Sequence, residues 1–120
     1  MFVKACRFFF FCRMILTCNI TFVTSPDNGD ELIRYIRCEV IPVLFGPQSP
    51  ALNPAIKKVV ESGGEKLPED HDLSIALSAD FYSYEEETKW KEDFLLPTLQ
   101  NFNDTYGEKA LYFITLLEKV

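Results

Sequence analysis

Leu73-Ser74-Ile75-Ala76-Leu77-Ser78-Ala79-Asp80-Phe81-Tyr82-Ser83-Tyr84-Glu85-Glu86-Glu87-Thr88-Lys89-Trp90 holds both signals that decide the fold. From Leu73 to Phe81, large apolar and small polar residues alternate. That period of two puts Leu73, Ile75, Leu77, Ala79 and Phe81 on one side of a strand. Ser83 with Glu86 three positions later is a capping-box pattern, which opens a helix. Trp90, Phe94, Leu95, Leu99 and Phe102 then recur on one helical face, to about Tyr106. Pro97 is expected to interrupt this helix, and Gly107 to cap it. Ala110 to Lys119 follows as a last strand, apolar on both faces. Leu111, Phe113 and Leu117 point to one side of it, and Tyr112, Ile114 and Leu116 to the other.

The same layout stands 55 residues upstream, without a gap. Ile15 to Val23 alternates as a strand, and Ser25-Pro26-Asp27-Asn28-Gly29 is a turn. A helix with Leu32, Ile33, Ile36, Val40 and Leu44 on one face runs to about Phe45. Ile20 aligns with Ile75, Asn28 with Ser83, Glu31 with Glu86, Tyr35 with Trp90, Pro42 with Pro97, Leu44 with Leu99, and Ala55 with Ala110. Pro42, like Pro97, is expected to kink or shorten its helix. A loop runs to Pro54, a second strand from Ala55 to Glu61, and a breaker-rich connection from Ser62 to Asp72. The order is βαββαβ. Two equivalent βαβ halves with right-handed crossovers predict an α+β fold of ferredoxin-like topology. Its antiparallel four-stranded sheet has order 4-1-3-2, with two helices on one face.

The chain has 120 residues, enough for one ordinary domain. Of its 12 Lys and Arg, Lys4, Arg7 and Arg13 precede Met14, while all 18 Asp and Glu follow it. Residues 14–120 therefore carry nine basic against eighteen acidic residues, net −9. Such a domain repels phosphate backbones, which argues against nucleic acid. No basic cluster offers a membrane anchor. Residues 1–13 hold Phe8-Phe9-Phe10-Phe11 between basic residues. Arg13 interrupts the apolar run, no cleavage signal follows, and the run is too short to span a bilayer. Residues 1–13 are expected to be a leader outside the domain, with Met14 the natural start. Cys6, Cys12, Cys18 and Cys38 form no CxxC pair, so neither zinc nor a disulfide framework is expected. Cys18 and Cys38 fall at apolar positions and read as reduced buried thiols. The expected location is the cytoplasm.

Three stretches carry a resemblance: Asn19-Ile20-Thr21-Phe22, Val40-Ile41-Pro42, and Phe113-Ile114-Thr115-Leu116-Leu117-Glu118. They are similar to a short bacterial family known only as domain-of-unknown-function family 4286. The resemblance covers roughly Met14 to Val120. It implies a ferredoxin-like fold of the dimeric α/β-barrel kind, and it transfers no catalytic residue.

Chemistry-bearing clusters each have a plainer reading. His71 lies in Glu69-Asp70-His71-Asp72, a polar connection with no second histidine, and reads as a solvated loop. Glu85-Glu86-Glu87 complements the positive end of a helix. Trp90, Phe94 and Phe102 read as core. Gly63-Gly64 lacks the GK[ST] of a phosphate loop. The serines lack a base. No catalytic residue, metal site or cofactor is therefore expected. What remains is the sheet face turned away from the helices. The candidate ligand-binding residues are Thr17, Asn19, Thr21, Ser78, Asp80 and Tyr112. An antiparallel sheet can leave such a face to water. Alternatively a second copy covers it, and small polar residues line a cavity between two sheets.

The leading expectation is a homodimeric module that binds a small molecule or a protein without catalysis. One rival is a cofactor-independent monooxygenase or isomerase working in the inter-sheet cavity, with Asp80, Asn19 and Tyr112 as first candidates. Another is a regulatory amino-acid-binding domain. Convergent polar groups in a cavity favour the enzyme; a closed apolar interface favours the module.

Overall fold

The computed structural model describes residues 15–120. The expectations for residues 1–13, and for Met14 as the start, lie outside the described residues. The long strands are β1 (Leu16–Thr24), β2 (Leu52–Lys58), β5 (Leu73–Phe81) and β6 (Ala110–Glu118), and a small hairpin pairs β3 (Glu61–Ser62) with β4 (Glu65–Lys66). Helix α1 spans residues 29–44 and α2 residues 84–106. The four long strands form one antiparallel sheet in the order β2-β5-β1-β6.

Alternation makes the core. Leu16, Cys18, Ile20 and Phe22 of β1 are buried, as are Ile75, Leu77, Ala79 and Phe81 of β5. Register brings them side by side, with Leu16 opposite Phe81 and Phe22 opposite Ile75. The helices cover this face with Leu32, Ile36, Val40 and Leu44 from α1, and Trp90, Leu95, Leu99 and Phe102 from α2. Trp90 is fully buried and its indole N–H donates to the Leu44 carbonyl at 2.9 Å, tying α2 to the end of α1.

The two prolines do not end their helices. Each is preceded by one wide turn, Ile36–Val40 before Pro42 and Lys91–Leu95 before Pro97. There the Ile41 and Leu96 N–H groups reach back five residues, to Ile36 and Lys91. Proline has no N–H to donate, and its ring clashes with the carbonyl four residues back in a regular helix. Inserting one residue in the turn relieves that clash. Both wide turns fall at the same place in the 55-residue repeat. The helices part company afterwards: α1 stops before Gly46-Pro47, while α2 runs on to Tyr106 and ends at Gly107, whose φ is +57.

Only one of the two expected N-caps forms. Ser83 is extended, and its Oγ accepts from the Glu86 N–H at 3.2 Å. Asn28 ends a helical turn, Pro26–Asn28, that runs straight into α1, so it is not extended, and its amide donates to Ser25 Oγ instead. Strand β2 begins three residues earlier than Ala55. Pro54 cannot donate to a ladder, but an edge strand tolerates it at a bulge. The register slips between Leu52 and Ala55, and Asn53 adopts φ +52. In the connection, Gly63 and Gly64 both have positive φ, which closes the small hairpin in a two-residue turn.

Cys18 is buried but Cys38 is exposed. Cys38 stands two positions from both Ile36 and Val40, which face the core, so it points outward. Burial, then the nearby Glu87 carboxylate, pushes the Cys18 thiol up to about 11, partly offset by Lys91. Glu87 itself is buried, unlike Glu85 and Glu86, with its Oε2 3.1 Å from Lys91 Nζ. Iodoacetamide on the native protein is expected to label Cys38 and spare Cys18 until the chain unfolds, as read by peptide mass spectrometry. An unfolded thiol titrates first, near its ordinary 9.0, so Cys18 makes stability fall as pH rises from 9 toward 11. Labelling of Cys18 at the rate of Cys38 contradicts its placement.

Candidate functional site: the open face of the sheet

The residues between the buried ones on each strand project away from the helices. Register arranges them in rows across β6, β1 and β5. Leu117, Thr17 and Asp80 form one row; Thr115, Asn19 and Ser78 the next; then Phe113, Thr21 and Ala76. Strand β2 adds Ala55 beside Ser78 and Lys57 beside Ala76. This face is split in character. Its β6 side is apolar, with Leu111, Phe113 and Leu117 exposed by 59%, 58% and 54%. Its β1–β5 side is lined by half-buried Thr17, Asn19, Thr21, Ser78 and Asp80.

Five of the six candidate residues therefore share one face. Tyr112 does not. It pairs with Phe22, a core residue, and its ring lies 6.1 Å from that of Phe102, nearly perpendicular to it. Both faces of β6 are apolar, so its own sequence does not settle which side faces the helices. The register with β1 does.

Asp80 is the polar centre of the face. Its Oδ1 accepts from the Thr17 hydroxyl at 2.7 Å, and its Oδ2 accepts from the Asn53 amide at 3.0 Å. One neutral donor on each side fixes the carboxylate's orientation. Asn53 is not among the six residues that strand parity puts forward. The signal for it is the pair Asn53-Pro54: a proline forces a bulge on this edge strand, and Asn tolerates the left-handed conformation better than most side chains. Asn19 Nδ2 donates to Thr21 Oγ1 at 3.4 Å, a weaker tie along β1. No group of three His, Cys, Asp or Glu side chains among the described residues is arranged to hold a metal ion.

Elsewhere a cleft of about 360 Å³ opens between the start of α1, the end of β2 and the small hairpin. His71 lines it, with its Nδ1 2.9 Å from the Asp72 carbonyl oxygen. Lys58 and Lys66 face Asp30, Glu69 and Asp72 around this cleft, so its rim has no dominant charge. His71 is exposed, as expected of a polar connection. At the far end of the sheet the Tyr84 hydroxyl donates to the Glu118 carboxylate, joining the start of α2 to the end of β6. That bond raises the Tyr84 hydroxyl above its ordinary value. No helix among the described residues is long and apolar enough to cross a membrane.

No family model matches the chain, and no curated protein does. Solved structures do resemble it. An ethyl tert-butyl ether D (EthD) family protein from Bacillus halodurans has a TM-score of 0.64 at 10% identity, covering 88% of this chain and 99% of that one. A dimeric ferredoxin-like protein from an uncultured marine organism has a TM-score of 0.54 at 12% identity, covering 90% and 97%. A de novo designed protein, Foldit4, has a TM-score of 0.52 at 9% identity, covering 90% and 100%. At these identities the likeness shows the fold, an α+β ferredoxin-like one, and nothing of activity.

Proposed function

We propose that the chain is a homodimeric binding module in which two copies face each other through their open sheets and hold a small molecule between them. The observation that carries this reading is the split of the open face. Leu111, Phe113 and Leu117 form an apolar strip that a monomer leaves in water. Beside it, Asp80, Thr17 and Asn53 form a hydrogen-bonded polar group, and Ser78, Ala76 and Thr21 are too small to fill the space above them. A tight seam on one side and a gap on the other is what this division produces when two such faces meet.

Three nine-residue strands and one of seven residues span a face of at most roughly 30 by 19 Å at ordinary strand spacing. Pairing two of them covers at most about 1,200 Å², ligand included, at the low end for a specific interface. The solved neighbour described as a dimeric ferredoxin-like protein shows that a chain of this fold associates in pairs. Binding rather than catalysis fits the polar group, because Thr17 and Asn53 are neutral partners that orient a carboxylate without activating a nucleophile.

Native mass spectrometry of the purified full chain tests this. The expected spectrum holds a dimer carrying one or two small-molecule masses that leave on gentle activation. A spectrum of bare monomer under the same conditions contradicts the reading.

A further inference from the structure

The geometry points to a cation site at Asp80: the gap between the two sheets takes a ligand bearing a protonated amine, with the Asp80 carboxylate as its counter-ion. This rests on the reading that a second copy covers the open face.

Asp80 is half-buried and accepts one hydrogen bond on each oxygen, from Thr17 and Asn53. Both donors are neutral, so among the described residues nothing compensates the negative charge. A carboxylate has about four acceptor positions, and two remain open here. Among the described residues the ion pairs are Lys89 with Asp93 and Lys91 with Glu87, and Asp80 has none. Lys57 stands on the same face opposite Ala76, but that is four residues along β5 from Asp80, roughly 13 Å at strand spacing. Covering this face with a second sheet removes water from the carboxylate. A charge taken out of water without a partner is strongly unfavourable. A ligand that brings a positive donor meets both the charge and the open acceptor positions.

The chemistry of the group selects among cations. Calcium takes six to eight oxygen ligands, usually with several carboxylates, and magnesium demands octahedral oxygen geometry. Asp80 is a lone carboxylate, and its neighbours Thr17 and Asn53 present their donors, not their lone pairs, to it. An ammonium group needs only hydrogen-bond acceptors and a counter-charge, which this group supplies. Leu117, in the same row as Asp80 across Thr17, suits a short apolar body behind the charged nitrogen. The class is therefore an amphiphilic amine.

Isotope-edited NMR on the full chain tests the assignment, with n-butylammonium, n-butanol, n-butyrate and Mg²⁺ as separate probes. Shifts at Thr17, Ser78 and Asp80 are expected to saturate with n-butylammonium about tenfold or more below the concentration needed for n-butanol, as a charged hydrogen bond allows. Asp80→Asn, which keeps the shape and the Thr17 contact, is expected to erase that preference. Equal response to n-butanol, an unchanged preference in Asp80→Asn, or a matching response to Mg²⁺ overturns the cation site. So does the absence of any shift at these residues. Light scattering on the same samples separates the two readings. A dimer without amine preference overturns the cation site and leaves the assembly standing, whereas a monomer that binds n-butylammonium through Asp80 overturns the assembly and leaves the cation site.

Discussion

Replacing Trp90 with alanine is expected to lower the unfolding free energy by about 3–5 kcal/mol, the usual cost of emptying an aromatic core position. Trp90 is fully buried, and its ring sits 4.8 Å from that of Phe81 at the junction of β5 and α2. Its N–H also reaches the Leu44 carbonyl, so it joins the second half of the repeat to the last turn of the first. A second variant at this position separates these contributions. Trp90→Phe keeps most of the volume and removes the hydrogen bond. It should cost much less than the alanine variant, because Leu44's carbonyl still accepts from Ser49 Oγ at 2.6 Å and is not orphaned. Leu99→Ala, on the same face of α2, should cost about 2–5 kcal/mol. His71→Ala, on an exposed connection, should stay within about 0.5 kcal/mol. Urea denaturation followed by far-UV circular dichroism measures all four. A larger effect from His71→Ala than from Leu99→Ala reverses the assignment of core and loop.

The second large effect is on assembly. Phe113→Arg places a charge in the middle of the apolar strip, and a two-fold dimer carries the substitution twice. Burying a Phe side chain is worth roughly 1.5–3 kcal/mol. Losing it in both copies weakens association by about a hundredfold to ten-thousandfold. The variant should be a folded monomer at micromolar concentration, since Phe113 is exposed within one chain. Leu116→Arg makes the contrast. Leu116 is half-buried and packs on the core side of β6, so this variant should lose stability instead. Among the described strands β6 is also an edge of the sheet, and such an edge can pair with another strand. Phe113→Arg leaves that backbone intact. A dimer that survives the substitution with unchanged affinity is held by the edge and not by the face.

Much of this architecture is legible in the sequence, because both of its main signals are periodic. Alternation in β1 and β5 fixes which residues are buried, and the helical spacing of Leu32, Ile36, Val40 and Leu44 fixes the face of α1. The 55-residue repeat correctly pairs Pro42 with Pro97. It does not reveal that each helix survives its proline by widening one turn, since that solution depends on backbone geometry and not on side-chain type. The start of β2 was hidden for a related reason. Pro54 reads as a breaker, and only a bulge on an edge strand reconciles it with pairing. Tyr112 was misplaced because β6 is apolar on both sides, so alternation there carries no sign. The sequence assigns Glu87, with Glu85 and Glu86, to the positive end of a helix, and gives no sign that it alone lies buried against Lys91 and near Cys18. Among the site residues, Thr17 and Asp80 were legible from strand parity, whereas Asn53 enters only through the bulge.

Size-exclusion chromatography with multi-angle light scattering, run on the full chain at micromolar concentration, decides whether two copies cover each other's open face. A single peak at twice the chain mass of 13.8 kDa is expected. A peak at 13.8 kDa that does not shift as the concentration is raised contradicts it, because the strip of Leu111, Phe113 and Leu117 is then not covered by a second copy.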